Sequence, residues 1–354
     1  HFSTGNAGDK NSASHNHVPQ HDEESVMAHD LAMMNGRASM MYVGEAPWHR
    51  LGTKLDNPAT AAEAITAAGL DYEVKLTPLS TADEGNPVPN RRAVVRTDTK
   101  QVLGVVSPSY VPIQNKSCFT FLDEVVADDG LRYHTAGALG KGERVWMLAK
   151  LPGQIRVKGG EDVIDKFLLL SNSHDGSSSL RVLFTSIRVV CKNTLNLALN
   201  RGHGHGVSIS HKGDLASKVK HAREVLGLAQ KVYEDAERKI DLLASHSPNS
   251  IELDAFFKTL VPDPADGDPT RARNIRAEMH RLFEEGTGQD IAQVKGTTWA
   301  AVNAVTEFVD HHRGTRGTDS LDRSRQRLQS AWFGQGAILK SKAWGLALEI
   351  ATAA

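Results

Sequence analysis

The chain has 354 residues, of which 40% are hydrophobic, and a formal net charge of −1. This length allows a sizeable core in one large or two ordinary domains, and the near-zero charge means that binding to a polyanion would need a local basic patch. The two cysteines, Cys118 and Cys191, exclude a disulfide framework and a cysteine-rich zinc site. No apolar run approaches the roughly 20 residues that span a bilayer, so the sequence predicts a cytoplasmic protein with no membrane partner.

The first 39 residues predict a disordered N-terminal tail. Residues 1–26 are rich in Ser, Asn, His and acidic residues and contain no apolar segment, which is not the pattern of a signal peptide. Met27 is a candidate for the true start of the chain.

An α+β core domain is predicted over residues 40–205. Alternating apolar residues indicate strands, and helical spacing between turn residues indicates helices. The predicted elements in chain order are a helix at 59–68, a strand at 71–79, a hairpin at 92–97 and 102–106, a helix starting at Asn115, a hairpin with its loop at 137–142, and a short helix at 195–199.

The clearest local signal is a hairpin formed by residues 163–173 and 178–190. Its turn contains His174-Asp175-Gly176. Asp-Gly between two β-rich runs favours a tight turn, because glycine tolerates the positive φ that such turns need.

From residue 206 to 354 the pattern is mostly helical. Helices are predicted at 214–243, 251–260, 273–283, 299–313, 320–332 and 338–353. The predicted fold class is therefore α+β, with an antiparallel curved β-sheet and packed helices followed by a helical C-terminal region.

Five sequence motifs of the chain are distinctive. They are Val43-Gly44-Glu45-x-Pro47-Trp48-His49, Tyr110-x-Pro112-x-Gln114-Asn115, Leu169-Leu170-Ser171-Asn172-Ser173-His174-Asp175-Gly176, Arg188-Val189-Val190-Cys191-x-Asn193-Thr194-Leu195 and Gly296-Thr297-x-Trp299-Ala300-Ala301-Val302-Asn303. In these motifs the chain resembles the phage/plasmid-like proteins that carry the domain of unknown function DUF932. The resemblance covers nearly everything after Met27. It implies a gene carried by phages, plasmids and other mobile elements, and a role in DNA replication, recombination or host defence. It transfers no catalytic residue.

A local excess of basic residues lies between Arg181 and Arg223, where Asp214 is the lone acidic residue. Such a stretch can follow a phosphate backbone, although it is also compatible with the solvated face of a helix. The residues predicted to bind nucleic acid are Arg181, Arg188, Lys192, Arg201, Lys212, Lys218 and Lys220. A second basic cluster begins at Arg313 and continues through Arg316, Arg323, Arg325 and Arg327.

The element order resembles the core of phage single-strand annealing proteins, which hold one DNA strand and leave its bases free to pair. This fold-level analogy predicts single-stranded DNA as the preferred partner, with strand annealing or recombination as the activity. A homo-oligomer is compatible with this interpretation, because annealing proteins commonly form rings or filaments. The aromatic candidates for base stacking, Tyr110, Tyr133 and Trp146, are more typical of core or loop anchors.

Two alternatives stay open. A metal-dependent nuclease or phosphohydrolase could use His174 with Asp175, or Glu307 with His311, and the loop 202–206 with His211 could bind zinc. An inhibitor of host restriction or defence would instead bind a protein. Turn chemistry accounts for Asp175-Gly176, and a polar row such as Asn303, Glu307 and His311 often lies between packed helices. The sequence therefore favours a protein that is not an enzyme, with no catalytic residue, metal or cofactor.

Overall fold

A computed structural model describes residues 31–34, 36–44, 51–125, 132–188, 190, 194–196, 206–212, 229–314, 330–331 and 334–353. The strands are β1 (Met33–Met34), β2 (Arg37–Ala38), β3 (Met40–Val43), β4 (Thr53–Leu55), β5 (Val74–Ser80), β6 (Pro87–Arg96), β7 (Val102–Val106), β8 (Arg132–Leu139), β9 (Arg144–Arg156), β10 (Val163–Ser173), β11 (Leu180–Arg188), β12 (Thr194–Asn196) and β13 (Gly206–Ile209). The helices are α1 (Ala61–Ala67), α2 (Asn115–Val125), α3 (Ala229–Ser245), α4 (Ser250–Leu260), α5 (Thr270–Glu285), α6 (Thr298–Glu307) and α7 (Gln335–Ala353), with a 3₁₀ turn at Val157–Gly159 and a π-helical turn at Phe308–His312.

The larger sheet contains eight of the described strands, in the order β12-β11-β10-β9-β8-β3-β4, with β13 also paired to β11. All its pairs are antiparallel except β3 with β4. Register shifts interrupt the β9–β10 and β8–β9 ladders, and bulges of this kind bend a sheet. A separate sheet has the order β5-β6-β7. The predicted α+β class, with a curved antiparallel sheet and a helical C-terminal region, is confirmed.

Strand pairing is present on both sides of the two predicted domain boundaries, at residues 40 and 205. Leu31 forms a β-bridge with Leu139, and β1 and β2 pair with each other, so the core extends upstream of residue 40. At the other boundary, β13 pairs with β11 across Leu180–Ile209 and three further residue pairs, so the sheet extends past residue 205. The segments before residue 40 and after residue 205 lack a strong strand pattern in the sequence. Pairing with distant strands holds them in the fold. Residues 1–30 lie outside the described part of the chain.

The short helix predicted at 195–199 is wrong where the structure describes it. Residues Thr194–Asn196 form β12, which pairs antiparallel with β11 through Thr185, Ser186 and Ile187. An available sheet edge satisfies backbone donors and acceptors as well as a helix does, and tertiary context decides between them. The predicted helix at 320–332 falls mostly outside the described residues, as does the first half of the helix predicted at 214–243.

The two faces of the larger sheet carry separate clusters of buried side chains. One face joins the main core, in which Met147, Leu168 and Phe184 pack with residues of the helices. The opposite face carries a smaller cluster built around Trp146 and Phe167. Helices α1 and α3 contact the sheet, and the Tyr233 hydroxyl of α3 donates to the backbone carbonyls of Phe167 and Thr185.

The C-terminal helices surround α6, whose ten residues are all buried. Helix α7, α5 and α3 contact it. Trp299 of α6 donates its indole N–H to Asp162 at 2.9 Å, which connects the helical region to the loop before β10. None of the helices in the described part of the chain is long and apolar enough to cross a membrane.

Candidate nucleic-acid interface

Three turns meet at one end of the larger sheet, and we call this region the hairpin end (residues 140–144, 174–181 and 210–212). Arg144 at the start of β9 pairs with Ser173 at the end of β10. Ser171 of β10 pairs with Arg181 of β11, which in turn pairs with Ser208 of β13. Because antiparallel neighbours start and end at the same edge, the β8–β9 turn, the β10–β11 turn and the residues after β13 lie side by side.

Among the described residues of the hairpin end, four side chains are permanently basic: Lys141, Arg144, Arg181 and Lys212. Lys141, Arg181 and Lys212 are exposed, and Arg144 is half-buried. Arg144 donates to the Ser177 hydroxyl at 3.2 Å, which holds its guanidinium beside the hairpin turn.

The carboxylates of this region are directed to backbone donors. Glu143 accepts a hydrogen bond from the backbone N–H of Lys141 at 2.6 Å. Asp175 accepts one from the backbone N–H of Ser177 at 2.8 Å, as expected for an Asx turn. The local balance of charge at the hairpin end is therefore positive in a molecule whose formal net charge is −1.

Beneath the hairpin end lies a buried polar network, which we call the buried support (Tyr72, Arg96, Asn115 and His174). His174 and Asn115 are joined by a hydrogen bond of 2.9 Å between Nε2 and Oδ1. Since the Asn115 amide nitrogen donates to the Leu70 carbonyl, its oxygen is the acceptor for His174. Burial lowers the pKa of His174 to about 4, so this imidazole is neutral at pH 7.

Arg96 is 1% exposed and connects the buried support to the β8–β9 turn. Its guanidinium lies 3.7 Å from the centre of the Tyr72 ring and pairs with Asp98 at 2.7 Å. It also donates to the Lys141 carbonyl at 2.8 Å, while the Tyr72 hydroxyl donates to the Gly142 carbonyl at 2.7 Å. The backbone that presents Lys141 is thus fixed from below by two side chains.

A second set of contacts fixes the other two turns. The rings of Tyr110 and His211 stack with centroids 4.7 Å apart, and the Tyr110 hydroxyl donates to the Ser173 carbonyl. Gly104 of β7 lies directly under the hairpin, where a Cβ atom would come within 2.5 Å of the Asp175 Cα. The smaller sheet therefore supports the β10–β11 turn, and Tyr110, in the segment between β7 and α2, holds His211 next to Lys212.

The structure places two of the predicted nucleic-acid-binding residues, Arg181 and Lys212, at the hairpin end. Arg188 is the last residue of β11, and its side chain lies outside the described part. The others, Lys192, Arg201, Lys218 and Lys220, also lie outside the described residues. Sequence analysis missed Lys141 and Arg144. These two residues join the others only through the register of β9, β10 and β11, for which a single sequence gives no signal.

The residues of the metal hypothesis have other partners. His174 is joined to Asn115 and Asp175 to Ser177, so the two side chains serve different contacts. Glu307 accepts hydrogen bonds from the backbone N–H and the hydroxyl of Thr287. Within the described residues, no group of three or more His, Cys, Asp or Glu side chains is arranged to hold a metal ion. The zinc candidates at 202–205 lie outside these residues.

The aromatic candidates for base stacking are buried. Tyr110, Tyr133 and Trp146 are each exposed by 7% or less. The indole of Trp146 lies across Gly137, where a Cβ atom would come within 2.4 Å of Cη2. These rings are core and loop anchors, as the alternative interpretation predicted.

Residues 102–332 match the family model described as Domain of unknown function (DUF932). The chain belongs to this family. The matched range contains all four cations of the hairpin end, whereas Tyr72 and Arg96 of the buried support precede it.

Two curated relatives from Escherichia coli (strain K12) match parts of this DUF932 protein. One is UPF0380 protein YafZ, 36% identical over 119 residues, or 33% of this chain and 38% of the relative. The other is UPF0380 protein YfjQ, 40% identical over 77 residues, or 22% of this chain and 27% of the relative. The chain therefore spans well under half the length of either relative. No solved structure gives a significant match.

Proposed function

We propose that this protein binds DNA through the hairpin end, with a preference for single strands, and that it acts in the DNA metabolism of phages or plasmids by annealing or recombination of strands. One observation supports this most. The strand register gathers Arg181 and Lys212, from the basic stretch, with Lys141 and Arg144 from a different part of the chain. Basic side chains gathered from distant segments make a phosphate-binding surface.

The chemistry of this surface suits the backbone of a strand rather than its bases. Lysine and arginine bind phosphate oxygens through charge-assisted hydrogen bonds, and serine hydroxyls such as that of Ser177 add neutral donors. The described aromatic rings nearby are buried, so no stacking platform competes for the bases. A strand held by its phosphates keeps its bases free for pairing, which is what annealing requires.

The buried support gives this binding surface a fixed shape. Contacts from Arg96 and Tyr72, together with the neighbouring Tyr110, hold the backbone of the turns, so the backbone that carries the cations needs little ordering when a strand binds. A preordered site loses less conformational entropy on binding. We infer that the protein contributes position and charge to the reaction and performs no bond-breaking step.

The first test is fluorescence anisotropy with labelled single-stranded and double-stranded DNA of equal length, over a range of salt concentrations. We expect tighter binding to the single strand, little dependence on base sequence, and affinity that falls as salt rises. Absence of binding to both DNAs at low salt would contradict the proposal.

The second test assigns the binding to the hairpin end. The double variant Arg181→Ala/Lys212→Ala should lose affinity by about tenfold or more, since two phosphate contacts are removed. The matched control is Lys231→Ala/Lys295→Ala, which removes the same charge from exposed positions in the helical region. Equal losses in the two double variants would show an effect of net charge alone and would contradict the assignment.

A further inference from the structure

A cavity of about 970 Å³ opens among the C-terminal helices. Its walls come from the end of α4, the first half of α5, the π-helical turn and the start of α7. The apolar part of the lining includes Leu260, Ile275, Phe308 and Leu339. Cavities of this size are the usual sites of small-molecule ligands, whose orientation is fixed by polar groups on the wall.

Three cations line the same cavity: Arg271, Arg313 and Lys342. The pKa of Arg313 is lowered, mainly by burial and further by the positive charge of Arg271, which lines the same cavity. An anion inside the cavity would be attracted by the positive charges of these lining side chains. Lys342 donates to the Thr259 carbonyl at 2.9 Å, which keeps its charge at the rim.

The carboxylates in the lining are committed to other groups. Asp268 accepts hydrogen bonds from the backbone N–H and the hydroxyl of Thr270, at 2.9 and 2.6 Å. Glu278 pairs with Arg281 at 2.7 Å and contacts His312 at 3.2 Å. Neither is paired with Arg271, which forms no ion pair within the described part of the chain.

Further polar groups complete the wall. Thr270 and Arg271 are the first residues of the 16-residue helix α5, where backbone N–H groups and the helix dipole favour a negative charge. The side chains of Asn274 and Gln335, which can both donate and accept hydrogen bonds, also line the cavity. The cavity thus offers cations, neutral polar groups and an apolar surface to one ligand.

We propose that this cavity binds a nucleotide. Its phosphate lies against Arg271 and Arg313, and its base lies on the apolar wall that includes Phe308 and Leu339. The nucleotide is either free in solution or the 5′-phosphorylated end of a nucleic acid strand, and both present a phosphate ester next to a planar base. This site is separate from the hairpin end and does not depend on the function proposed for it.

The test is isothermal titration calorimetry of the full chain with the deoxynucleoside monophosphates, with deoxyadenosine, and with inorganic phosphate. We expect at least one monophosphate to bind more than tenfold tighter than either the nucleoside or inorganic phosphate, because only the nucleotide uses both parts of the cavity. Equal affinities for a nucleotide and its nucleoside, or no binding of any monophosphate at millimolar concentration, would overturn the proposal.

The variants Arg271→Gln and Arg313→Gln test whether these two arginines bind the phosphate of the nucleotide. Each should weaken nucleotide binding by about tenfold while leaving the weaker nucleoside binding unchanged. The matched control is Arg238→Gln, an exposed arginine of α3 that does not line the cavity and pairs with Asp235 instead. Arg271 is exposed on α5, so its variant should fold even if the half-buried Arg313 proves necessary for stability. Unchanged affinity in Arg271→Gln, or an equal loss in Arg238→Gln, would place the phosphate elsewhere and contradict the site.

The two sources of the nucleotide are separated with oligonucleotides that carry a 5′-phosphate or a 5′-hydroxyl. If the 5′-phosphorylated strand competes with the monophosphate and the 5′-hydroxyl strand does not, the phosphorylated strand end is a ligand. If neither oligonucleotide competes with the monophosphate, the ligand is the free nucleotide. The Arg181→Ala/Lys212→Ala variant should bind the monophosphate normally, which distinguishes failure of this proposal from failure of the DNA-binding proposal.

Discussion

The buried support and the exposed cations above it are two layers of the same region, and they use polar residues in opposite ways. Below, Arg96, Asn115 and His174 direct their polar atoms to one another and to backbone carbonyls. Above, Arg181 and Lys212 are exposed to solvent. Polar residues that suggest a reactive site in the sequence, such as His174, thus stabilise the fold. Substitutions in the lower layer should change stability, and substitutions in the upper layer should change binding.

The largest expected effect is the loss of stability in Arg96→Ala. This substitution removes the ion pair with Asp98, the contact with the Tyr72 ring and the hydrogen bond to the Lys141 carbonyl, all at a position that is 1% exposed. We expect a decrease of about 3 kcal/mol in the free energy of unfolding, measured with urea. The control Arg91→Ala, on an exposed part of the same strand, should change it by less than about 0.5 kcal/mol.

His174 should make stability depend on pH. Its pKa in the folded protein is lowered to about 4, below the value of about 6.5 in an unfolded chain, so the folded state binds fewer protons between these values. The contribution of His174 is fully present above pH 6.5 and is lost as the pH falls towards 4, by up to about 3 kcal/mol. Urea unfolding at a series of pH values measures it.

The His174→Gln variant is the comparison for this titration, because glutamine can still donate to Asn115 but does not ionise. The pKa values of His134 and His211 are also lowered by burial, so the variant should retain part of the pH dependence. A slope between pH 4 and 6.5 equal to that of the wild type would contradict a neutral, buried His174.

The lower layer was only partly predictable from the sequence. The turn at His174-Asp175-Gly176 follows from local chemistry, and the observed strands β10 and β11 flank it. The partner of His174 does not follow from local chemistry, because Asn115 is 59 positions away and reaches it through packing of α2 beneath the sheet. For the same reason His174-Asp175 resembled a metal-binding pair: sequence proximity was visible, whereas the separate partners of the two side chains were not.

The upper layer shows the same limit. Arg181 and Lys212 were predicted because basic residues are frequent in that part of the sequence. The sequence shows that these residues are basic, but it does not show which residues lie beside them in the fold. Lys141 and Arg144 join them only through the register of β9, β10 and β11. Strand register between distant segments is set by side-chain packing across the whole sheet, which one sequence does not display.

A smaller effect is expected where the two sheets meet, in Gly104→Ala. The new Cβ would lie 2.5 Å from the Asp175 Cα, so the hairpin must move away from β7. We expect a loss of about 2 kcal/mol in the free energy of unfolding. Gly345→Ala is the matched control, because its Cβ would meet nothing within 4 Å and alanine favours the helix α7. A Gly104→Ala protein as stable as the wild type would show that the hairpin does not rest on β7.

The smallest effect, and the one that separates the layers most sharply, is on the salt dependence of DNA binding. If Arg181 binds one phosphate, Arg181→Ala should reduce the slope of log affinity against log salt by about 0.7 for single strands. His174→Gln at pH 7 should leave that slope unchanged, since it removes no charge from the surface. Anisotropy titrations over the same salt series measure both slopes. A reduced slope in Arg181→Ala alone assigns the phosphate contact to the upper layer, whereas equal slopes in the two variants would show that Arg181 does not contact the strand.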